Sequence, residues 1–234
     1  MIKVRKSEER GHVNFGWLDS YHSFSFGNYY DPEYMGYSKL RVINEDWIKG
    51  GGGFDSHPHR DMEIITYVME GALKHKDSMG NTSVIEKNDL QKMTAGRGVL
   101  HSEYNNSDTD EVHLLQIWIQ PDKMGLKPSY VQNHIERESI EGKLKLVATG
   151  NKYINNGTIH ISQDTDLYIA SFEKGQTVKH SFDNSRNVWI QVTNGSLSLL
   201  GKTIESGDGA AINDESEIEI TADQNAEFLL FDMN

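Results

Sequence analysis

The sequence predicts an all-β protein built as two related β-barrels joined by a short connector. Short apolar stretches recur roughly every ten residues with turn residues between them, which is typical of barrels and sandwiches rather than of alternating βα units. Glycine is frequent (21 residues) and proline is scarce (4 residues), so tight turns are readily formed. The second half of the 234-residue chain also repeats landmarks of the first half.

The N-terminal region is rich in aromatic residues and predicts two strands. Large and small side chains alternate over residues 22–26, which is strand periodicity. Asp31 followed by Pro32 signals a turn, and alternation over residues 39–42 predicts a second strand with one face inward. Most of the aromatic side chains are expected to pack in a core, with one or two lining a pocket.

A longer strand is predicted over residues 57–69. His57, His59 and Glu63 fall on one face of this strand. The residues that alternate with them are largely apolar, so we expect both faces to be covered. Met79-Gly80-Asn81 predicts a hairpin turn. Further strands are predicted over residues 89–95, 101–104 and 112–120.

The internal repeat sets the predicted domain boundaries. Three landmarks of the first half recur in the same order in the second half: Gly71 with Gly195, Asp89 with Asp208, and Glu111 with Glu227. Two barrels of related design are the simplest account of this pattern. We predict an N-terminal domain over residues 1–133, a connector over 134–147 and a C-terminal domain over 148–234. A short helical piece is expected near residues 131–139.

Composition excludes several classes of function. The chain has no cysteine, which rules out disulfides and thiolate chemistry, so any metal site must use nitrogen and oxygen ligands. A net charge of −12 argues against direct binding to nucleic acid. There is no N-terminal apolar segment typical of a secretion signal, and no run approaches the ~20 apolar residues of a membrane span. A cytoplasmic location without membrane contact is therefore expected.

Two short stretches predict a metal site. His57 and His59 are two residues apart, as are His101 and Glu103, and alternate residues of a strand project from the same face. If the strands face each other across a barrel, three imidazoles and a carboxylate converge, which suits a first-row transition metal. Glu63 is an alternative carboxylate, and spacing leaves that choice open. A five- or six-coordinate ion would keep an open position, whereas tetrahedral zinc would be closed and structural.

The second half lacks an equivalent set of donors. His180 corresponds to the first histidine of the pair, but Phe182 stands where the second would be, and residues 217–221 contain no histidine. The second barrel is therefore predicted to bind no metal and to have a structural role. Among the remaining histidines, His75 and His113 are the candidates to support the ligands.

These stretches resemble a known superfamily. The pattern that begins at Gly51 and runs through His57 and His59 to Glu63 resembles the first motif of the cupins, with its closing glycine one residue late. The second motif is similar to the segment from Gly98, without the usual proline. Longer stretches resemble the pirin family of bicupins: residues 16–46, 57–71, 93–105 and 114–121. The resemblance spans essentially the whole chain and is strongest to the bacterial pirins known as quercetin 2,3-dioxygenases.

The resemblance implies a fold and a ligand set. We expect two tandem cupin (double-stranded β-helix or jelly-roll) barrels with one divalent transition-metal ion in the N-terminal barrel. The ligands implied are His57, His59, His101 and Glu103, which leaves Glu63 as a neighbour of the site. Fe²⁺ is the expected ion, and Ni²⁺, Cu²⁺, Mn²⁺, Co²⁺ and Zn²⁺ are compatible with the same donors.

The resemblance also implies an activity, the cleavage of flavonols such as quercetin with O₂ and release of carbon monoxide. Glu103 or Glu63 would accept the proton of the flavonol 3-hydroxyl, and Phe24, Phe26 and Tyr67 would stack on the flat substrate. Two alternatives stay open. One is a metal-bound regulatory or redox-sensing protein that binds other proteins without turnover, and the other is a cupin enzyme acting on a different small aromatic substrate.

Overall fold

The computed structural model describes residues 1–154 and 157–234, which form two compact units built mainly of β-strands. The first unit contains residues 11–135, and the second contains residues 1–10 together with 136–234. This division differs from the predicted domains, which placed residues 1–10 in the N-terminal domain. The reason is that the first strand pairs with a strand of the second unit.

The first unit consists of two antiparallel sheets packed face to face. The larger sheet has seven strands in the spatial order β12 (Ser129–His134), β9 (Asp89–Thr94), β6 (Glu63–Glu70), β11 (Val112–Ile119), β4 (Leu40–Ile48), β3 (Leu18–His22) and β2 (Gly11–Asn14). The smaller sheet has four strands in the order β5 (Gly53–His59), β10 (Val99–Asn105), β7 (Ala72–Asp77) and β8 (Thr82–Glu86). Buried apolar side chains join them, among them Val68 and Leu114 from the larger sheet and Leu73 and Ile85 from the smaller.

The second unit has the same two-sheet design. Its seven-stranded sheet runs in the order β1 (Ile2–Arg5), β20 (Gly209–Ile212), β17 (Asn187–Asn194), β22 (Ala226–Met233), β15 (Thr165–Phe172), β13 (Lys145–Thr149) and β14 (Ile159–His160). Its four-stranded sheet runs in the order β16 (Thr177–Ser181), β21 (Glu217–Ala222), β18 (Ser196–Leu199) and β19 (Lys202–Glu205). Two 3-10 helices, Ser7–Glu9 and Arg137–Ser139, complete the described elements. None of the helices described is long and apolar enough to cross a membrane.

The shared strand order confirms the predicted internal repeat. In the smaller sheets, β5, β10, β7 and β8 correspond in sequence order and pairing to β16, β21, β18 and β19. In the larger sheets, β12 lies beside β9 at one edge of the first unit, whereas β1 lies beside β20 in the second. The second unit thus takes its edge strand from the beginning of the chain.

Several predicted elements are confirmed. The strand predicted over residues 39–42 is the start of β4. The hairpin predicted at residues 79–81 joins β7 to β8, and Gly80 adopts a φ of +97° there, a conformation that glycine allows without strain. The side chain of Asp77 accepts hydrogen bonds from the backbone of Met79 and Asn81, which fixes this turn.

The single strand predicted over residues 57–69 is two strands in different sheets. His57 and His59 end β5 in the smaller sheet, whereas Glu63 begins β6 in the larger sheet. The chain turns between them at Asp61, whose φ is +50° and whose backbone N–H donates to the carbonyl of Gly96. The prediction that Glu63 faces the same side as the histidines assumed one continuous strand, and the turn at Asp61 breaks that alternation.

Two other predictions are wrong in detail. The strand predicted over residues 22–26 ends at His22 because the chain then turns, and the Ser25 hydroxyl bonds both the N–H and the carbonyl of Asp31. The helical piece predicted near residues 131–139 is mostly the edge strand β12, followed by a single 3-10 turn.

A charged cluster lies at one end of the second unit. The carboxylate of Asp232 on β22 is 2.9 Å from Nε2 of His180 on β16, and it also accepts a hydrogen bond from Nε of Arg186. Burial alone would raise the pKa of Asp232, but the hydrogen bonds from His180 and Arg186 outweigh it and hold this pKa below its usual range. The ionised carboxylate therefore stabilises the folded unit.

We expect Asp232→Asn to lower the free energy of unfolding at pH 7 by about 2 kcal/mol, since hydrogen bonds to a charged group are lost. A lowered pKa contributes stability above the unfolded-state value of about 3.9, and this stability is lost as pH falls through the folded pKa. The difference between wild type and variant should therefore shrink between pH 7 and pH 3 in urea unfolding. The matched control is Asp214→Asn at an exposed position. A difference that stays constant with pH would contradict this assignment.

Candidate metal centre

The three predicted metal-binding histidines come together in the first unit. β5 and β10 pair antiparallel with His57 directly opposite His101, and their Nε2 atoms are 3.0 Å apart. His59, two residues along β5, joins them, so that one ring nitrogen of each histidine lies within 4.8 Å of the others. The two sequence stretches that predicted a site are thus neighbours in one small sheet.

The pairing of these strands contains a β-bulge. Glu103 pairs with Phe54 rather than with Asp55, so β5 has one more residue than β10 between the two matched positions. A bulge of this kind changes which side chains share a face. Phe54 and His57 therefore both line the same cavity although they are three residues apart.

The protonation of the histidines suits metal binding. Nδ1 of His57 is 2.7 Å from the carbonyl of Asp55, and because a carbonyl only accepts, this nitrogen carries the proton and leaves a lone pair on Nε2. Burial, followed by the neighbouring histidines, lowers the pKa of His59 to about 4 and that of His101 to about 3. His59 and His101 are therefore neutral near pH 7, the form that ligates metals.

The spacing of the nitrogens also fits an ion. If two nitrogens each lie ~2.1 Å from one ion and the angle between the two bonds is about 90°, the nitrogens are about 3.0 Å apart. The Nε2 atoms of His57 and His101 have this separation. This separation, together with the neutral imidazoles of His59 and His101, fits one divalent transition-metal ion.

Glu103 approaches the cluster from β10. It is buried, and both of its carboxylate oxygens accept hydrogen bonds from Nε2 of Gln116, at 3.2 and 3.1 Å. Thr66 in turn donates to Oε1 of Gln116 at 3.2 Å, which fixes the orientation of the amide. Glu103 forms a second group of possible ligands with His101 and His75, so His101 is common to both groups.

The two histidines predicted to support the ligands differ in position. His75 is fully buried, its ring centroid is 5.3 Å from that of His101, and its Nε2 is 3.2 Å from the carboxylate of Asp77. His113 instead stacks on Trp47, with ring centroids 4.0 Å apart, and belongs to neither of the two groups of possible metal ligands. Only His75 adjoins the cluster.

Glu63, the alternative carboxylate, is engaged elsewhere. Its Oε2 is 3.0 Å from Nζ of Lys92, and both side chains are buried. It does not line the cavity that the histidines reach. The structure therefore places Glu103, and not Glu63, beside the histidine cluster.

The histidine cluster opens into a cavity of about 650 Å³ within the first unit. Aromatic side chains form much of its wall: Phe15, Trp17, Phe26, Phe54 and Trp118. Of the three aromatic residues predicted to contact a substrate, only Phe26 lines it. Phe24 and Tyr67 are 1% and 0% exposed and lie outside the cavity, where they pack in the core.

Sequence reasoning missed the polar part of this cavity, which is formed by Ser20, Asn44, Asp46 and Gln116. Burial, with smaller contributions from Glu103 and Glu45, raises the pKa of Asp46 to about 7, although a hydrogen bond from Ser20 opposes the shift. A sequence signal exists, because Asn44, Asp46 and Gln116 interrupt strands that are otherwise largely apolar.

Comparisons with protein families agree with this arrangement. The family model described as Pirin matches residues 3–119, and the model described as the quercetinase C-terminal cupin domain matches residues 146–233. The two halves of the chain therefore correspond to two tandem cupin domains.

Known proteins are similar along the full length. The quercetin 2,3-dioxygenase of Escherichia coli (strain K12) is 47% identical over 233 residues, covering 100% of this chain and 99% of that protein. The crystal structure of YhhW from Escherichia coli matches with a TM-score of 0.96 at 46% identity, covering 100% of this chain and 98% of that one. The same bacterial pirin in complex with nickel(II) matches with a TM-score of 0.94 at 46% identity, covering 100% and 99%. On the identity and coverage of these relatives, the chain belongs to the pirin family.

Proposed function

We propose that this protein is a metal-dependent dioxygenase that cleaves flavonols such as quercetin with O₂ and releases carbon monoxide. The observation that supports this most directly is the cluster of three histidine donors opening into an aromatic cavity of about 650 Å³. A cavity of this size is in the range that holds small organic ligands. A relative of nearly the same length carries the name quercetin 2,3-dioxygenase.

The proposed ligands are His57, His59, His101 and Glu103. When bound, a divalent ion would supply a Lewis acid for the oxygen atoms of a flavonol and, if the ion is redox-active, a redox centre for the reaction with O₂. Fe²⁺ is the ion we expect, and the donor set is also compatible with Ni²⁺, Cu²⁺, Mn²⁺, Co²⁺ and Zn²⁺. Elemental analysis of protein purified from its native host would identify the ion.

The protein's own residues have separate tasks in this scheme. Glu103 accepts the proton of the flavonol 3-hydroxyl, and Gln116 holds its carboxylate in position through two hydrogen bonds. Glu63 is less suited to that role because it is paired with Lys92 outside the cavity. The ring of Trp118 meets that of His59 edge-on at 4.9 Å, so a flat substrate can stack along an aromatic wall beside the cluster.

The alternatives considered from the sequence are less well supported. The relative that is 47% identical over its full length is named for an enzymatic activity, which favours turnover of a flavonol over a purely regulatory role or a different aromatic substrate. The cytoplasmic location, a protein partner and the lack of direct nucleic-acid binding stay predictions from the sequence.

Metal-loaded protein is expected to consume quercetin under O₂ and to release carbon monoxide. His101→Ala should lower the turnover rate on the order of 100-fold or more, because His101 belongs to both groups of possible ligands. The rate is measured by loss of flavonol absorbance and by trapping of carbon monoxide. His160→Ala, at an exposed position in the second unit, is the matched control. Equal activity of His101→Ala and wild type would refute the site.

Gln116→Leu is expected to weaken metal binding by about 10- to 100-fold, since the residue that orients a ligand is lost while an apolar side chain of similar size fills its place. Affinity for Ni²⁺ can be measured by competition with a chromogenic chelator. The exposed Gln224→Leu, also in the second unit, controls for the chemical change. Unchanged Ni²⁺ affinity in Gln116→Leu would show that the contact with Glu103 has no role in holding the ion.

A further inference from the structure

Part of the cavity wall is a polar patch on the larger sheet of the first unit. Asn44 on β4 lies between His22 on β3 and Gln116 on β11 in the strand register, and Asp46 lies two residues further along β4. Alternate residues of a strand share a face, so Asn44 and Asp46 project to the same side. Each of these side chains lines the cavity, and Asn44 is only 3% exposed.

Most polar atoms of this patch have partners within the protein. The Ser20 hydroxyl donates to Asp46 and is 2.9 Å from Nε2 of His22. The Gln116 amide is bonded to Glu103 and Thr66. These bonds fix the positions of the side chains around Asn44.

Asn44 carries a polar atom without such a partner in the described part of the chain. Its Oδ1 is buried and has no hydrogen-bond partner among the residues that the structure describes. Nε1 of Trp118, a donor on the wall of the same cavity, is also buried without a partner among those residues. Buried polar atoms in folded proteins are almost always paired with protein, water or ligand, so Oδ1 of Asn44 and Nε1 of Trp118 are placed to bond a molecule that enters the cavity.

The chemistry of the surroundings defines that ligand. An amide oxygen needs a donor, and the aromatic walls of the cavity favour a flat ring over an aliphatic amine or a sugar. A phenolic hydroxyl on an aromatic ring meets both requirements. Asn44 adjoins Gln116, which holds Glu103, so this contact lies near the proposed metal ligands.

We propose that Asn44 is a specificity-determining residue whose Oδ1 accepts a hydrogen bond from a ring hydroxyl of the aromatic substrate, distinct from the 3-hydroxyl near the ion. The substrate class is then a polyhydroxylated flavonol rather than one with a single hydroxyl. This inference rests on the proposed function for its substrate class. A site built to bond a hydroxyl discriminates against the analogue that lacks it, because its own polar atom is left unpaired.

The test compares quercetin with 3-hydroxyflavone, which keeps only the hydroxyl beside the carbonyl. Both are titrated without O₂ into metal-loaded wild type, Asn44→Leu and the surface control Asn106→Leu, and the Kd is read from quenching of tryptophan fluorescence. Asn44→Leu should raise the Kd for quercetin about five- to tenfold and that for 3-hydroxyflavone by less than about twofold. Asn106→Leu should change neither Kd, since Asn106 is exposed and outside the cavity.

Equal changes for the two ligands, or no change for either, would overturn the role of Asn44. Wild type alone gives a second test that does not need a folded variant: it must bind quercetin about fivefold or more tightly than 3-hydroxyflavone. Weaker discrimination also overturns the inference. A wild type that binds with this preference but consumes neither flavonol under O₂ would refute the proposed function and leave the binding role of Asn44 supported.

Discussion

The antiparallel pairing of β5 with β10 is the constraint on which the site depends. Backbone hydrogen bonds between these strands place His57 opposite His101, and a shift of one residue would turn one of the two rings away. The bulge beyond this pair then brings Phe54 into the same cavity and Glu103 to its place beside Gln116. The donors are thus positioned by the main chain, and side-chain contacts only refine their orientation.

The second unit shows the same pairing put to a different use. β16 and β21 correspond to β5 and β10, but there His180 lies opposite Ile218, so no second imidazole is available at that register. His180 is instead hydrogen-bonded to Asp232, and the guanidinium of Arg186 pairs with the same carboxylate. The same strand pairing therefore brings three histidines together in the first unit, whereas in the second unit it places His180 beside the carboxylate of Asp232.

Much of the fold could be predicted because alternation and glycine turns are local signals, as at Gly80 and at the start of β4. The division of the chain at Asp61 could not, because a non-glycine residue with positive φ leaves no mark in the hydrophobic pattern. The histidine spacing predicted which residues converge. The roles of Asn44 and Gln116 depend on the register of neighbouring strands, which the sequence alone does not show.

The edge strand β1 has a consequence for biosynthesis. A chain leaves the ribosome N-terminus first, and the partner of Ile2–Arg5 is Gly209–Ile212, about two hundred residues later. Residues 11–135 contain every strand of the first unit and emerge early, whereas the partner of β1 emerges only when nearly the whole chain is made. An extension fused ahead of β1 is therefore expected to disturb the second unit, which is translated last, rather than the first unit with its histidine cluster.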